Sequence, residues 1–319
     1  MLLTLLSLLG CVLTLMGFWG QAHWLLDLAS HFRLQYLFWL VACSLLLTLQ
    51  QRRRLAVGLL PFVVINLILV LQTYWLWPVS LIMNPEISQE ISQEISQPPL
   101  RAVSLNLLFT NRNHQPVAQF LQKVQPDVLL LVELTPKWTE DLQPVLEAYP
   151  YQLSLPRRDA TGIGLYSRLP LLEPEILSLG DQSTPSLKAR LPLGERDLLL
   201  LGSHPKAPTS AAASARRNDQ LKATGTYLAQ QANPVLMLGD LNITAWSPYF
   251  RALLRQTKLH DSRQGFGLQT SWPSSLPALL RIPIDHALVA PELEVIKRQV
   301  GPDVGSDHLP ILLELAWRP

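Results

Sequence analysis

Val235-Leu236-Met237-Leu238-Gly239-Asp240-Leu241-Asn242 places four apolar residues in a row and then breaks into a glycine and two polar side chains. A short apolar run bounded by a turn signal reads as a buried strand. Asp240 and Asn242 are two apart, so in extended chain they face the same way. Alone, the stretch is as readily a plain turn. Working outward, the same grammar recurs. Asn106 ends Ser104-Leu105-Asn106, Glu133 follows Val128–Val132, and Gly202-Ser203-His204 follows Leu198–Leu201. Asp285 and the pair Asp307-His308 come before their apolar runs instead.

That split has a topological consequence. If all these polar groups meet at one sheet edge, strands followed by a polar group run antiparallel to strands preceded by one. A mixed sheet satisfies this without strain. The shared edge then gathers three Asp, one Glu, two His and two Asn. Carboxylates at close range repel and lose hydration in a cleft, and a divalent cation offsets both costs. An oxygen-rich set without thiolate suits Mg²⁺, with Mn²⁺ as the other fit, rather than a closed zinc site.

Further candidate strands are Ala102–Leu107, Gly162–Tyr166, Ser186–Arg190, Asp285–Val289 and Leu309–Leu315. Candidate helices are Pro116–Val124, Pro136–Leu146, Ser210–Gln231 and Pro248–Gln256. Pro116 suits a first helical position, and Thr135 is a cap for the second helix. Strands interleaved with helices predict an α/β layered domain over residues 100–319. The chain carries a net charge of only +2. The four Arg of residues 1–100 are balanced by four acidic residues, so this near-neutrality extends to the rest, and a basic nucleic-acid footprint is missing. Both cysteines, Cys11 and Cys43, precede the domain, so no disulfide or thiolate–metal site is available to it.

The first 80 residues read as a membrane domain. Leu2–Gly20, Leu34–Gln51 and Leu55–Val79 lack ionisable acids and bases, and each approaches the length of a spanning helix. Three transmembrane helices are therefore expected, anchoring the chain in a lipid bilayer. No Lys or Arg precedes Leu2–Gly20 and no small-x-small site follows, which argues against a cleaved signal peptide. Arg52, Arg53 and Arg54 lie between the second and third stretches and should stay cytoplasmic, placing the C-terminal domain outside. Residues 81–99 form a low-complexity linker in which Glu-Ile-Ser-Gln repeats three times before Pro98-Pro99.

At the segments Ser104-Leu105-Asn106, Val132-Glu133, Gly202-Ser203-His204, Gly239-Asp240-Leu241-Asn242, Ile284-Asp285-His286 and Gly305-Ser306-Asp307-His308, the chain resembles the endonuclease/exonuclease/phosphatase family. The anchored arrangement is similar to a bacterial subgroup with apolar N-terminal helices. The resemblance implies a four-layer αββα sandwich and a Mg²⁺-dependent phosphoester hydrolase in the inner or plasma membrane. It implies Glu133 as principal metal ligand, assisted by Asn106 and Asp307. Asp240 matches the residue that orients or deprotonates water, Asn242 a phosphate donor, and His308 a phosphate-contacting histidine held by Asp285. His204 matches a second histidine of the nuclease and sphingomyelinase branches.

Some positions depart from that pattern. Abasic-site repair members carry a Tyr where this chain has Ala160, which disfavours DNA repair. Arg216 and Arg217 read as a solvated helix face rather than a phosphate contact, His286 as structural, and Trp272 as a cleft wall ahead of a core filler. The expected partner is a phosphoester substrate, whether nucleic acid, nucleotide or lipid head group, and no obligate protein partner is expected. The competing class, a catalytically silent binding module, would show degraded site positions, whereas all of them are filled.

Overall fold

A computed structural model of the chain describes residues 1–74, 98–180 and 182–318. The Glu-Ile-Ser-Gln repeat lies outside them. Among the described residues, two six-stranded sheets account for the expected layered domain. The first is built from β1 (Leu100–Asn106), β2 (Val128–Val132), β3 (Tyr151–Leu155), β4 (Ile163–Ser167), β11 (Leu293–Val300) and β12 (Ile311–Trp317), in the order β11-β12-β1-β2-β4-β3. The second contains β5 (Leu172–Leu177), β6 (Ser186–Leu193), β7 (Arg196–Ser203), β8 (Val235–Asp240), β9 (His260–Asp261) and β10 (Asp285–Val289), in the order β5-β6-β7-β8-β10-β9.

Period-two alternation assigns each face. Val128, Leu130 and Val132 of β2 pack between the sheets with Leu200, Leu236 and Leu238. Leu129 and Leu131 point outward, where Val117, Phe120, Leu121 and Trp138 cover them. These come from α5 (Gln115–Val124) and α6 (Pro136–Asp141). On the far side, Leu199, Leu201, Val235 and Met237 are covered by Leu221, Leu228, Phe250 and Leu253 of α8 (Ala211–Leu228) and α9 (Pro248–Thr257). The result is helix, sheet, sheet, helix. The expected helix Pro136–Leu146 is broken at Leu142, where α6 ends and the single turn α7 (Gln143–Leu146) begins with Pro144 near its start.

The N-terminal region departs from three uniform spans. Among the described residues, helix α4 (Arg53–Tyr74) alone is long and apolar enough to cross a membrane, over Arg53–Thr73. Helices α2 (Trp24–Ser30) and α3 (Arg33–Leu49) qualify only as a pair, and they are bent by 67°. Helix α1 (Leu2–Met16) has 15 residues. At 1.5 Å per residue it reaches about 22 Å, short of the roughly 30 Å of a hydrocarbon core.

These helices pack directly on the sandwich. Gln35 Nε2 in the first turn of α3 donates to the carbonyls of Leu279 and Arg281 at 3.2 and 3.0 Å. Trp246 Nε1 donates to the carbonyl of Leu69 near the end of α4 at 3.1 Å. The domain thus sits at the α3 start and the α4 end, and the Arg52–Arg54 turn lies at the opposite end of that helix pair.

Candidate active site

Strand register brings the predicted polar residues together. β1 and β2 are parallel with Asn106 opposite Val132, so Asn106 and Glu133 leave the first sheet side by side. β8 and β10 are antiparallel with Asp240 directly opposite Asp285. β12 runs antiparallel to β1, which returns the preceding Asp307-His308 to the same edge. The direction rule drawn from the sequence therefore holds in both sheets.

Asn106 links the two sheets. Its Nδ2 donates to Glu133 Oε1 at 3.0 Å and to Asp240 Oδ2 at 3.1 Å, while its Oδ1 accepts from Leu108 N. Glu133 Oε2 accepts from Phe109 N at 2.9 Å. Leu108, Glu133 and Asn242 all hold left-handed backbone, with φ of 59°, 57° and 51°. Such conformations are uncommon for residues other than glycine, and three in one site mark backbone bent to aim particular groups. Gly239 serves the same end. Its φ is +147°, and a Cβ there would lie 1.8 Å from the Ser203 carbonyl, so only glycine lets β8 approach β7 just before Asp240.

Asp240 is the hub. Its Oδ2 lies 3.4 Å from His204 Nε2 and 3.6 Å from His308 Nε2, and its Oδ1 accepts from Asn242 N at 2.9 Å. His308 Nδ1 contacts Asp285 Oδ2 at 2.9 Å. Asn242 Nδ2 donates to the Pro205 carbonyl at 3.0 Å. Asp240, Asp285, His204 and His308 are all buried. Burial pushes the Asp240 carboxyl up, but the charges of His308 and His204 outweigh it and hold the group well below the usual carboxylate range. Burial pulls His308 down, yet the Asp285 and Asp240 carboxylates raise it to about 10. For His204, burial is again outweighed by the hydrogen bond and charge of Asp240, and its pKa rises. At neutral pH the site therefore holds an ionised Asp240 beside a cationic His308, with His204 shifted in the same direction.

Glu133, His204, Asp240, Asn242, Asp307 and His308 line one cavity of about 400 Å³. Asn106 and Asp285 stand directly behind, bonded to its lining groups. Trp272 walls the cavity as expected, and its Nε1 donates to Asp307 Oδ2 at 3.1 Å. Among the described residues, two sets of polar side chains at the cavity bear on cation binding. The ligand atoms of Asp240, Asp285 and His308 lie within 4.8 Å of one another. There, however, both ring nitrogens of His308 already face carboxylates, Nδ1 at 2.9 Å from Asp285 and Nε2 at 3.6 Å from Asp240. The other set is Glu133, Asn106 and Asp307. Its two carboxylates are half open to the cavity, Asp307 Oδ1 is buried without a hydrogen-bond partner, and Asn106 contributes an amide that bonds Glu133. That chemistry fits a hard divalent cation.

Two features escaped the sequence reading or contradict it. Arg217 is fully buried, not a solvated face: it pairs with Asp27 of α2 and donates to the Asn242 carbonyl at 3.0 Å. Arg216 is exposed. Asp27 Oδ1 also accepts from Ser247 Oγ at 2.6 Å, and His31 Nδ1 contacts Thr244 Oγ1 at 3.0 Å. The N-terminal unit thus grips the loop that follows Asp240. The available signal was Asp27 itself, the one acidic residue before the linker, because a lone acid among apolar helices requires a partner. Ser306 was also missed. It donates to the Asn106 carbonyl at 2.7 Å and accepts from His308 N at 3.1 Å. His286 is structural as expected, with Nε2 on the Ile243 carbonyl at 2.7 Å.

Comparison with known proteins places this geometry. D. rerio TDP2 complexed with single strand DNA product is 19% identical, with 69% of this chain and 100% of that one covered at a TM-score of 0.57. The human Nocturnin catalytic domain with bound sulfate is 18% identical, covering 70% and 96%, at 0.56. Sphingomyelinase C from Streptomyces griseocarneus is 17% identical, covering 68% and 99%, at 0.51. At such identities the likeness is one of fold. No curated protein matches. The model of the endonuclease/exonuclease/phosphatase family matches residues 103–308. This match runs from β1 to His308, across both sheets and more than half of the chain, and the chain therefore belongs to the endonuclease/exonuclease/phosphatase family.

Proposed function

We propose that the protein is a membrane-anchored, Mg²⁺-dependent phosphoester hydrolase. The observation that carries this reading is the single cavity in which Glu133, Asp240, His204 and His308 converge from both sheets. Glu133, with Asn106 and Asp307, would hold the ion. Bound there, Mg²⁺ would polarise the phosphoryl group and neutralise developing charge.

The chain's own residues do the rest. Ionised Asp240 accepts a hydrogen bond from the attacking water and orients it in line with the leaving group. His308 is kept cationic by Asp285 and donates to a non-bridging phosphoryl oxygen, where negative charge accumulates. The Asn242 amide donates alongside it. His204, 3.4 Å from Asp240 and raised in pKa by it, is placed to give a proton to the departing oxygen. The low-dielectric surroundings of these buried groups strengthen each interaction.

Anchoring is supported by α4 and by the bent pair α2–α3. The Arg52–Arg54 turn at the end remote from the domain supports an extracytoplasmic site. Hydrolysis of bis-para-nitrophenyl phosphate by the full chain with Mg²⁺ tests the reading. Glu133→Gln is expected to lower kcat/KM by about a thousandfold or more with an unchanged melting temperature. Equal activity in wild type and variant would refute it.

A further inference from the structure

We propose that the substrate is a lipid phosphoester that enters the cleft from the bilayer surface. This rests on the hydrolase reading above and adds the substrate class. The first observation is the origin of the cavity walls. Leu28, His31 and Phe32, at the break between α2 and α3, line the same cavity as Glu133 and His308. They are fixed there by the Asp27–Arg217 pair and the His31–Thr244 contact. The apolar N-terminal unit is thus part of the substrate cleft as well as a tether. Phe32 is 37% exposed, so this wall of the cleft presents apolar surface.

A second wall leads the same way. Trp272 and Ile282 both line the cavity and bridge to each other. Between them, residues 273–281 run outward as a loop with a 3-10 turn at Ala278–Leu280. Leu276, Leu279 and Leu280 on this loop are 40%, 45% and 52% exposed. Gln35 ties the loop to the first turn of α3, so the three leucines form a lip beside a helix of the bilayer-anchored unit. Exposed leucines at such a level gain by entering the acyl boundary.

Charge points away from a polyanion. Lys206 is the sole Lys or Arg among the described residues lining the cavity. Arg281 on the lip spends its guanidinium on the carbonyls of Leu276 and Ser274, at 2.6 and 2.8 Å. A nucleic-acid strand needs a succession of cations along its backbone. A single phosphoester with apolar chains needs only the polar floor and an apolar exit, and both are present.

The test uses the full chain reconstituted in vesicles of phosphatidylcholine, phosphatidylglycerol and phosphatidic acid. Parallel assays use bis-para-nitrophenyl phosphate and single-stranded DNA and RNA oligonucleotides. Wild type is expected to release head group or phosphate from at least one lipid faster than it cleaves either oligonucleotide. The double variant Leu279→Ser/Leu280→Ser, whose side chains lie outside the cavity, is expected to lose about tenfold of lipid hydrolysis and to keep hydrolysis of the soluble ester. Leu276→Ser is a second variant on the same lip. Unchanged lipid turnover in the variants, loss of both activities together, or oligonucleotide cleavage outrunning lipid hydrolysis would each overturn the proposal. Soluble-ester hydrolysis by wild type with no lipid turnover would overturn the substrate class alone. Failure on the soluble ester would overturn the hydrolase reading itself.

Discussion

His308 meets one carboxylate on each side: Asp285 at Nδ1 and Asp240 at Nε2. The shorter contact, 2.9 Å to Asp285, fixes which nitrogen faces the cavity. Asp285→Asn keeps the side-chain volume and removes the charge that holds the imidazole cationic. Steady-state kinetics on the soluble ester should show kcat reduced by about two to four orders of magnitude with KM little changed. Retention of wild-type kcat would show that His308 works without this partner. The convergence of these eight polar residues was legible because each is set against a buried apolar run, where a lone strand has no use for it. Asp27 and Arg217 form an equally buried pair, but no local pattern links residues so far apart in sequence, and Arg217 sits on an ordinary-looking helix.

At the level of elements, the sequence exposed the interior of each sheet and missed its rims. β2 and β10 match their expected bounds, and the other predicted strands are displaced or extended at their ends. The four unpredicted strands, β3, β5, β9 and β11, are the outermost strand on each side of the two sheets. Edge strands carry polar and proline residues that blunt their pairing, such as Glu173 and Pro174 in β5 and Lys297 and Arg298 in β11. Their apolar signal is correspondingly weak. Tight packing inside the sheets makes Gly239→Ala a sharp test of the element that presents Asp240. A Cβ pressed onto the Ser203 carbonyl, on a backbone with φ of +147°, should cost about 3 kcal/mol or more. Thermal unfolding followed by circular dichroism measures this, and a melting temperature equal to wild type would show that the approach of β7 and β8 is looser than described.

For the whole molecule, apolar content was readable while helix geometry was not. Hydropathy marks Leu34–Gln51 and cannot see that the short helix α2 precedes it at a bend of 67°, where His31 and Phe32 meet the sandwich. That bend makes sense as docking geometry, since it presents Asp27, Leu28 and His31 to the sandwich. With the Arg52–Arg54 turn at the remote end, a C-terminal alkaline-phosphatase fusion should be active and a C-terminal green-fluorescent fusion dark in cells. The reverse pair would place the site in the cytoplasm.

The central claim is that one cation, held on the Glu133 side of the Asp240 network, organises a phosphoester site at the shared edge of two sheets. Crystals of the full chain soaked in Mn²⁺ and measured at the manganese absorption edge test it most directly. The expected result is one strong anomalous peak at the Glu133 carboxylate, within reach of Asn106 and Asp307 and lost in Glu133→Gln crystals. A peak seated among Asp240, Asp285 and His308, or no peak in the cavity, would contradict the account.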